Sequence, residues 1–237
     1  MSHPLRGKHY LLTGASSGIG KATARRLADL GARLTSLGRR HPDGLDLDAH
    51  VNCDLSMQAD IEATCKSVIG QAASLDGCVL AHGYGKFGGL EEFSDADICR
   101  LVQTNFTSCA QIIKQMLPVL KRGNRSDLIL IGSEAGVRAG KKGAVYSATK
   151  FALRGLAQAL RSECQSAGVR ISCINPGMVD TPFFDDLDFT PGESRDNALL
   201  PDDVAEAIAN VLMSPGHVVY DEINLTPQKN VIRNRKT

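Results

Sequence analysis

Short apolar runs alternate along the chain with longer stretches in which apolar residues recur every three or four positions. The run 9–14 (HYLLTG) predicts a first strand, and 20–31 (GKATARRLADLG) a helix closed by Gly31. Further strands are predicted over 33–39, 77–83, 126–133, 169–177 and 217–225. Helices are predicted over 56–73, starting on a Ser56 cap, over 94–122 with a break at Pro118, over 144–168 and over 202–213. Strands that read as apolar on both faces and alternate with helices predict an α/β fold, a doubly wound parallel sheet with helices on both faces. No repeat, low-complexity segment or linker divides residues 1–237, which read as a single domain. Ligands of such sheets bind beyond the carboxyl ends of the strands, where the strand order switches.

The stretch TGASSGIG (13–20) lies at that place, between the first strand and the first helix. Gly14, Gly18 and Gly20 permit a tight turn whose backbone N–H groups and helix N-terminus face a pyrophosphate, with Ser16, Ser17 and Ile19 in the same turn. The second strand ends in Arg39 and Arg40, with no acid before Asp43. An acid there would suit the ribose of NAD, whereas guanidinium groups suit the extra phosphate of NADP, so NADP(H) is expected in preference to NAD(H). Farther on, VYSATK (145–150) sets Tyr146 and Lys150 on one helix face. Alone, that pair is as well explained by packing.

Together these motifs resemble the short-chain dehydrogenase/reductase family, in its compact single-domain branch. Thr13 to Gly20 matches the family's glycine motif, Asp54 in CDLS the acid that holds the adenine amino group, and Asn105 in QTNFTS its mid-helix asparagine. Ser133 in IGSEAG and the Tyr146/Lys150 pair match its active site, and NPGMVDTP (175–182) the segment that closes over the nicotinamide, with Pro176, Gly177 and Thr181. The resemblance covers nearly the whole chain and implies a Rossmann-like fold. It also implies a catalytic set of Asn105, Ser133, Tyr146 and Lys150, and a homodimer or homotetramer formed through helices around 97–118 and 144–167. After the third strand, however, the family's N-N-A-G is replaced by LAHG: Gly83 remains and both asparagines are gone. His82 is expected to be structural or to line the cofactor. The C-terminal VYDEINLTPQKN lacks a D-G-G ending, which points to free carbonyl compounds rather than acyl-carrier thioesters.

A free phenol ionises near pH 10, about three units too high for a proton shuttle at neutrality. The Lys150 ammonium and the positive charge of an oxidised nicotinamide are expected to draw the Tyr146 value down. Tyr146 would then exchange a proton with a carbonyl or alcohol oxygen that Ser133 orients. The resemblance gives Lys150 the nicotinamide ribose and Asn105 a proton-relaying water. The expected activity is an NADPH-dependent interconversion of a small to medium carbonyl compound and its alcohol. The alternative is a non-catalytic NADP(H)-binding regulator; such proteins keep the glycine turn but commonly lose the tyrosine or lysine. Sugar-nucleotide epimerases and dehydratases share Y-x-x-x-K, on longer chains with a different glycine spacing.

Around the expected pocket, Arg138, Lys141 and Lys142 precede Tyr146, and residues 183–200 are expected to form a lid with Asp185, Asp186 and Asp188 among Phe183, Phe184 and Phe189. The basic loop either attracts an anionic substrate, pairs with the acidic lid, or is simply solvated. The phenylalanines form an apolar wall or anchor the lid. The basic pairs Lys121–Arg122 and Lys141–Lys142 and the tail Arg233, Arg235, Lys236 read as solvated.

Composition narrows the remaining classes. A net charge of +1 gives no general attraction to nucleic acid or to an anionic membrane. Seven scattered cysteines without a C-x-x-C spacing read as free thiols in a reducing compartment, with no metal site. No apolar run approaches the roughly 18 residues that span a bilayer, so a cytoplasmic location is expected.

Overall fold

The computed structural model describes residues 3–71 and 74–235. Its strands are β1 (His9–Thr13), β2 (Arg33–Gly38), β3 (Ala49–Asn52), β4 (Gly77–Leu80), β5 (Ser126–Ile131), β6 (Val169–Pro176), β7 (Phe189–Pro191), β8 (Glu222–Leu225) and β9 (Ile232–Asn234). Its α-helices are α1 (Gly18–Asp29), α2 (Gln58–Gln71), α3 (Asp95–Val102), α4 (Ser108–Leu120), α5 (Ala144–Cys164) and α6 (Pro201–Met213). Seven strands pair in the order β3-β2-β1-β4-β5-β6-β8, all in parallel. Order reverses between β1 and β4, so both the glycine turn and the LAHG segment open at the switch point.

Two apolar layers hold the helices to the sheet. One joins α2, α4 and α5 through residues such as Ile61, Ile112, Met116 and Leu153; the other joins α1 and α6 through Leu27, Val204 and Ile208. β1, β4, β5 and β6 are buried at every position, as expected for central parallel strands covered on both faces. Away from the switch point, Arg170 on β6 bonds Asp127 on β5 at 2.6 Å and also reaches the carbonyls of Val211 and Val218. That buried pair ties the amino ends of two central strands to the end of α6.

Several boundaries differ from the sequence expectations. β3 was not anticipated: it is a short edge strand, half exposed, paired only with β2. Helix α4 runs through Pro118 instead of breaking there; the proline is exposed in the last turn, where solvent can serve the freed carbonyl. The interruption falls instead at Gln103–Thr107, a π-turn between α3 and α4. Ser56 does not cap α2, which begins at Gln58; its hydroxyl donates to the Asp54 carboxylate at 2.8 Å. The last two residues of the expected 56–73 helix lie outside the described residues. The strand expected over 217–225, β8, starts only at Glu222.

Candidate active site

The glycine turn is shaped by close approach. Gly14 has φ +73°, and a Cβ there would lie 2.8 Å from the Ala81 carbonyl oxygen at the end of β4. Gly18, φ +50°, faces the Thr181 side chain across a gap that a Cβ would narrow to 3.2 Å. A Cβ on Gly20 would run into the Gly14 carbonyl. Ser16, Ser17 and Ile19 are half-buried around the turn, and α1 starts at Gly18 with its free N–H groups toward this cradle. Arg39 and Arg40 are exposed beyond β2, and no ion pair occupies either among the described residues. Asp54 accepts from both the N–H and the hydroxyl of Ser56, which hold its carboxyl below the usual range. The cradle and the fixed carboxylate fit a dinucleotide.

On the other side of the switch point, His82 is buried and joins three elements. Its Nδ1 lies 2.7 Å from the Thr13 hydroxyl and its Nε2 2.7 Å from the Ser108 hydroxyl. Ser108 gives its own proton to the Thr104 carbonyl, so it accepts from Nε2–H; Nδ1 then accepts from Thr13, which in turn accepts from the Ala81 N–H. This chain suits a neutral imidazole. Burial, aided by the nearby Lys150 charge, pushes its pKa down to about 3. Of the two expectations for His82, the bracing one describes this environment, at the place where the family's asparagines are missing.

Ser133 leaves β5 in an extended conformation, its hydroxyl accepting from the Ala135 N–H at 3.1 Å and close enough to the Tyr146 phenol to favour its ionised form. Gly136 lets this loop lie on α5: a Cβ there would sit 2.8 Å from the Lys150 carbonyl oxygen. Tyr146 and Lys150 are both buried on α5, in the stripe that continues through Leu153, Ala157 and Leu160. Lys150 Nζ donates to the Ile131 carbonyl at 3.0 Å and stands 5.8 Å from the centre of the Tyr146 ring. The protein's own groups do not draw Tyr146 down; the expectation also counted the positive charge of an oxidised nicotinamide. Burial pushes it up to about 12, partly offset by Ser133 and reinforced by the Glu134 carboxylate. Burial lowers Lys150 for the same reason, a charge withdrawn from water.

Asn105 sits fully buried inside the π-turn, the kind of helix distortion that often re-aims a functional side chain. Its Oδ1 accepts from the Tyr84 N–H at 3.0 Å and its Nδ2 donates to the Tyr84 carbonyl at 2.9 Å. Gly83 is pressed between this side chain and Lys150: a Cβ there would lie 3.1 Å from Asn105 Oδ1 and 3.8 Å from Lys150 Nζ. The amide is thus occupied in fixing the segment after β4 beside Lys150.

Pro176 is buried at the end of β6, with Gly177 following it beside Glu134 and Pro227. Thr181 caps the single turn Pro182–Phe184. Phe183 and Phe87 flank the Tyr146 ring at 5.9 and 5.2 Å, and Phe184 and Phe189 pack behind them with Met178 and Leu187. Phe87, Met178 and Glu134 were not singled out in the sequence; only their place in the segments that follow strands β4, β6 and β5 could have drawn attention to them. Arg138, Lys141 and Lys142 are exposed, and among the described residues no ion pair joins them to Asp185, Asp186 or Asp188.

A parallel sheet with a glycine cradle at its switch point and a serine–tyrosine–lysine cluster beside it defines the class of nucleotide-dependent α/β oxidoreductases. The family model described as short chain dehydrogenase matches residues 8–190. The chain belongs to that family, whose members are oxidoreductases using NAD(P). A dehydrogenase/reductase SDR family member 11 of Mus musculus is 31% identical, with 95% of this chain and 96% of the relative covered. An uncharacterized oxidoreductase of Staphylococcus epidermidis is 29% identical, with 94% and 98% covered. Among solved structures, an alcohol dehydrogenase from Thermococcus sibiricus complexed with 5-hydroxy-NADP superposes with TM-score 0.82 at 29% identity, over 92% of this chain and 95% of that one. Among the described residues, no helix is long and apolar enough to cross a membrane.

Proposed function

We propose that the protein is an NADP(H)-dependent reductase of small to medium carbonyl compounds, reversible as an alcohol dehydrogenase. The observation that carries this reading is the convergence of Ser133, Tyr146 and Lys150 on one wall, next to the glycine cradle and under the rings of Phe87 and Phe183. Gly14 to Gly20 would hold the pyrophosphate, Asp54 the adenine, Arg39 and Arg40 the extra phosphate, and Pro176, Gly177 and Thr181 the nicotinamide end. When bound, the cofactor supplies the hydride.

Ser133 orients the carbonyl oxygen and Tyr146 gives it a proton. Because burial keeps the phenol protonated, that proton is available across the neutral range in the reducing direction. Alcohol oxidation asks Tyr146 to lose its proton, which needs positive charge close by. Lys150 supplies one such charge, and its N–H groups beyond the Ile131 bond are free for the cofactor ribose. Asn105 positions Gly83 and Tyr84 around that ammonium. Residues 183–200 serve as the lid, its phenylalanines keeping water from the reacting atoms. The half-buried apolar groove between α4 and α5, with Ile113, Leu117 and Leu156, supports pairing of two copies.

The test follows NADPH absorbance with a panel of small carbonyl compounds, for the native protein and Tyr146→Phe. Turnover is expected, with a loss of at least about 100-fold in the variant while NADPH binding persists. Tight NADPH binding with no turnover would instead support a regulator that senses the cofactor pool.

A further inference from the structure

Glu134 follows Ser133 directly and starts the single turn Glu134–Gly136 at the end of β5. Its carboxylate stands against Gly177: a Cβ on that glycine would be 2.9 Å from Oε2 and 3.1 Å from the Pro227 ring. The side chain is half-buried, and burial alone raises its pKa, with neither a cation nor a hydrogen-bond donor in opposition. Its charge is felt at the Tyr146 phenol. The cations nearest in sequence, Arg138, Lys141 and Lys142, are exposed and form no ion pair with it. The Tyr146 ring is itself flanked by the rings of Phe87 and Phe183.

A carboxylate drawn halfway out of water and left without a donor is costly, and a ligand that brings a donor recovers that cost. A ligand bringing a second carboxylate adds repulsion in a site of low dielectric. An ammonium donor would itself have to leave water, a cost that attraction to a half-buried carboxylate does not reliably repay, whereas a neutral hydroxyl brings a donor without that cost.

We propose that Glu134 determines substrate specificity, accepting a hydrogen bond from a substrate hydroxyl so that the site takes uncharged hydroxylated carbonyl compounds and rejects carboxylates. The proposal rests on the reductase reading and names its substrate class. It removes the exposed basic loop from substrate selection.

The experiment uses acetophenone, α-hydroxyacetophenone and phenylglyoxylate, three compounds on one skeleton, with NADPH and the full chain. Ratios of kcat/KM within each protein cancel any general loss of activity. For the native protein the hydroxyketone is expected to exceed acetophenone by about tenfold or more, the worth of a hydrogen bond to a charged acceptor. Glu134→Ala should bring that ratio close to one. Glu134→Gln keeps an acceptor but not the charge, and should raise phenylglyoxylate relative to acetophenone by about tenfold while retaining part of the hydroxyl preference. NADPH binding and thermal unfolding establish that each variant is folded. Turnover with the same ratios in all three proteins would overturn the assignment of Glu134 and leave the reductase reading intact. No turnover of any compound by native protein that binds NADPH would overturn both.

Discussion

His82 is where one residue says most about this chain. Its partners Thr13 and Ser108 lie 69 and 26 positions away, so no local pattern could announce a buried neutral imidazole linking β1, the end of β4 and α4. Tyr146 and Lys150 were legible because their meaning is carried by a spacing of four on one helix. The direction of the tyrosine's shift was not legible, since burial is a property of the assembled fold and the Glu134 carboxylate adds to it. The His82 environment makes a prediction with a definite sign. The folded pKa, about 3, lies below the ordinary 6.5, so below pH 6.5 the unfolded chain takes up a proton that the folded one refuses. Stability attributable to this site is complete above pH 6.5 and falls toward pH 3, by roughly 1.4 kcal/mol per pH unit once well below 6.5. His82→Ala should cost about 1–3 kcal/mol at pH 7.5 through its two lost hydrogen bonds. That deficit should shrink as the pH is lowered to 5, because the variant lacks the titrating group. Urea unfolding of both proteins at the two pH values measures it; a constant deficit would mean that the imidazole charges without penalty.

Among the elements, those with a strong period and a buried face were visible, and those shaped by tertiary contact were not. Central strands read as apolar runs, and α5 as a long amphipathic helix. β3 escaped notice because an edge strand bonded on one side needs no apolar run. The π-turn at Gln103–Thr107 also has no sequence period; it is recognised by Asn105 clasping Tyr84 from inside the helix. Pro118 misled because proline is disruptive in a helix interior but tolerable near an exposed end. The end of β2 carries the element-scale prediction. Gly38 has open space around it, and the two arginines that follow lack carboxylate partners among the described residues, so the strand presents two free guanidinium groups beside the cradle. Replacing both Arg39 and Arg40 by alanine should raise KM for NADPH by at least about tenfold, the loss of a charge-assisted contact to phosphate, and change KM for NADH little. Equal effects on both cofactors would show that the arginines steer charge in general and do not hold the extra phosphate.

At the scale of the whole molecule, the order of motifs along the chain anticipated the fold, yet the covering of the site depends on a pairing between distant segments. β7, inside the 183–200 segment, pairs antiparallel with β9 near the C-terminus. Arg233 meets Glu193, the Arg235 N–H donates to the Asp188 carbonyl at 2.7 Å, and Lys229 reaches Asp196 at 3.0 Å. The basic tail read as a solvated end is therefore engaged at Arg233 and Arg235, while Lys236 lies outside the described residues. Three-residue strands with half-exposed or exposed positions carry no apolar signal, so neither partner could be read alone. The consequence is mechanical. Phe183 lies against Tyr146 with Phe184 and Phe189 packed behind it, and the tail holds the segment by backbone bonds, including Gly192 N–H to the Val231 carbonyl. A chain ending at Asn230 would keep the cradle, the arginines and the Ser133–Tyr146–Lys150 wall but lose this strap. NADPH binding should be preserved, the KM of the best carbonyl substrate should rise by roughly three- to tenfold, about 0.6–1.4 kcal/mol of lost closure, and proteolysis between residues 185 and 200 should quicken. Cleavage at the native rate would mean that the phenylalanine cluster alone holds the segment down, and the rise in KM should then be absent as well.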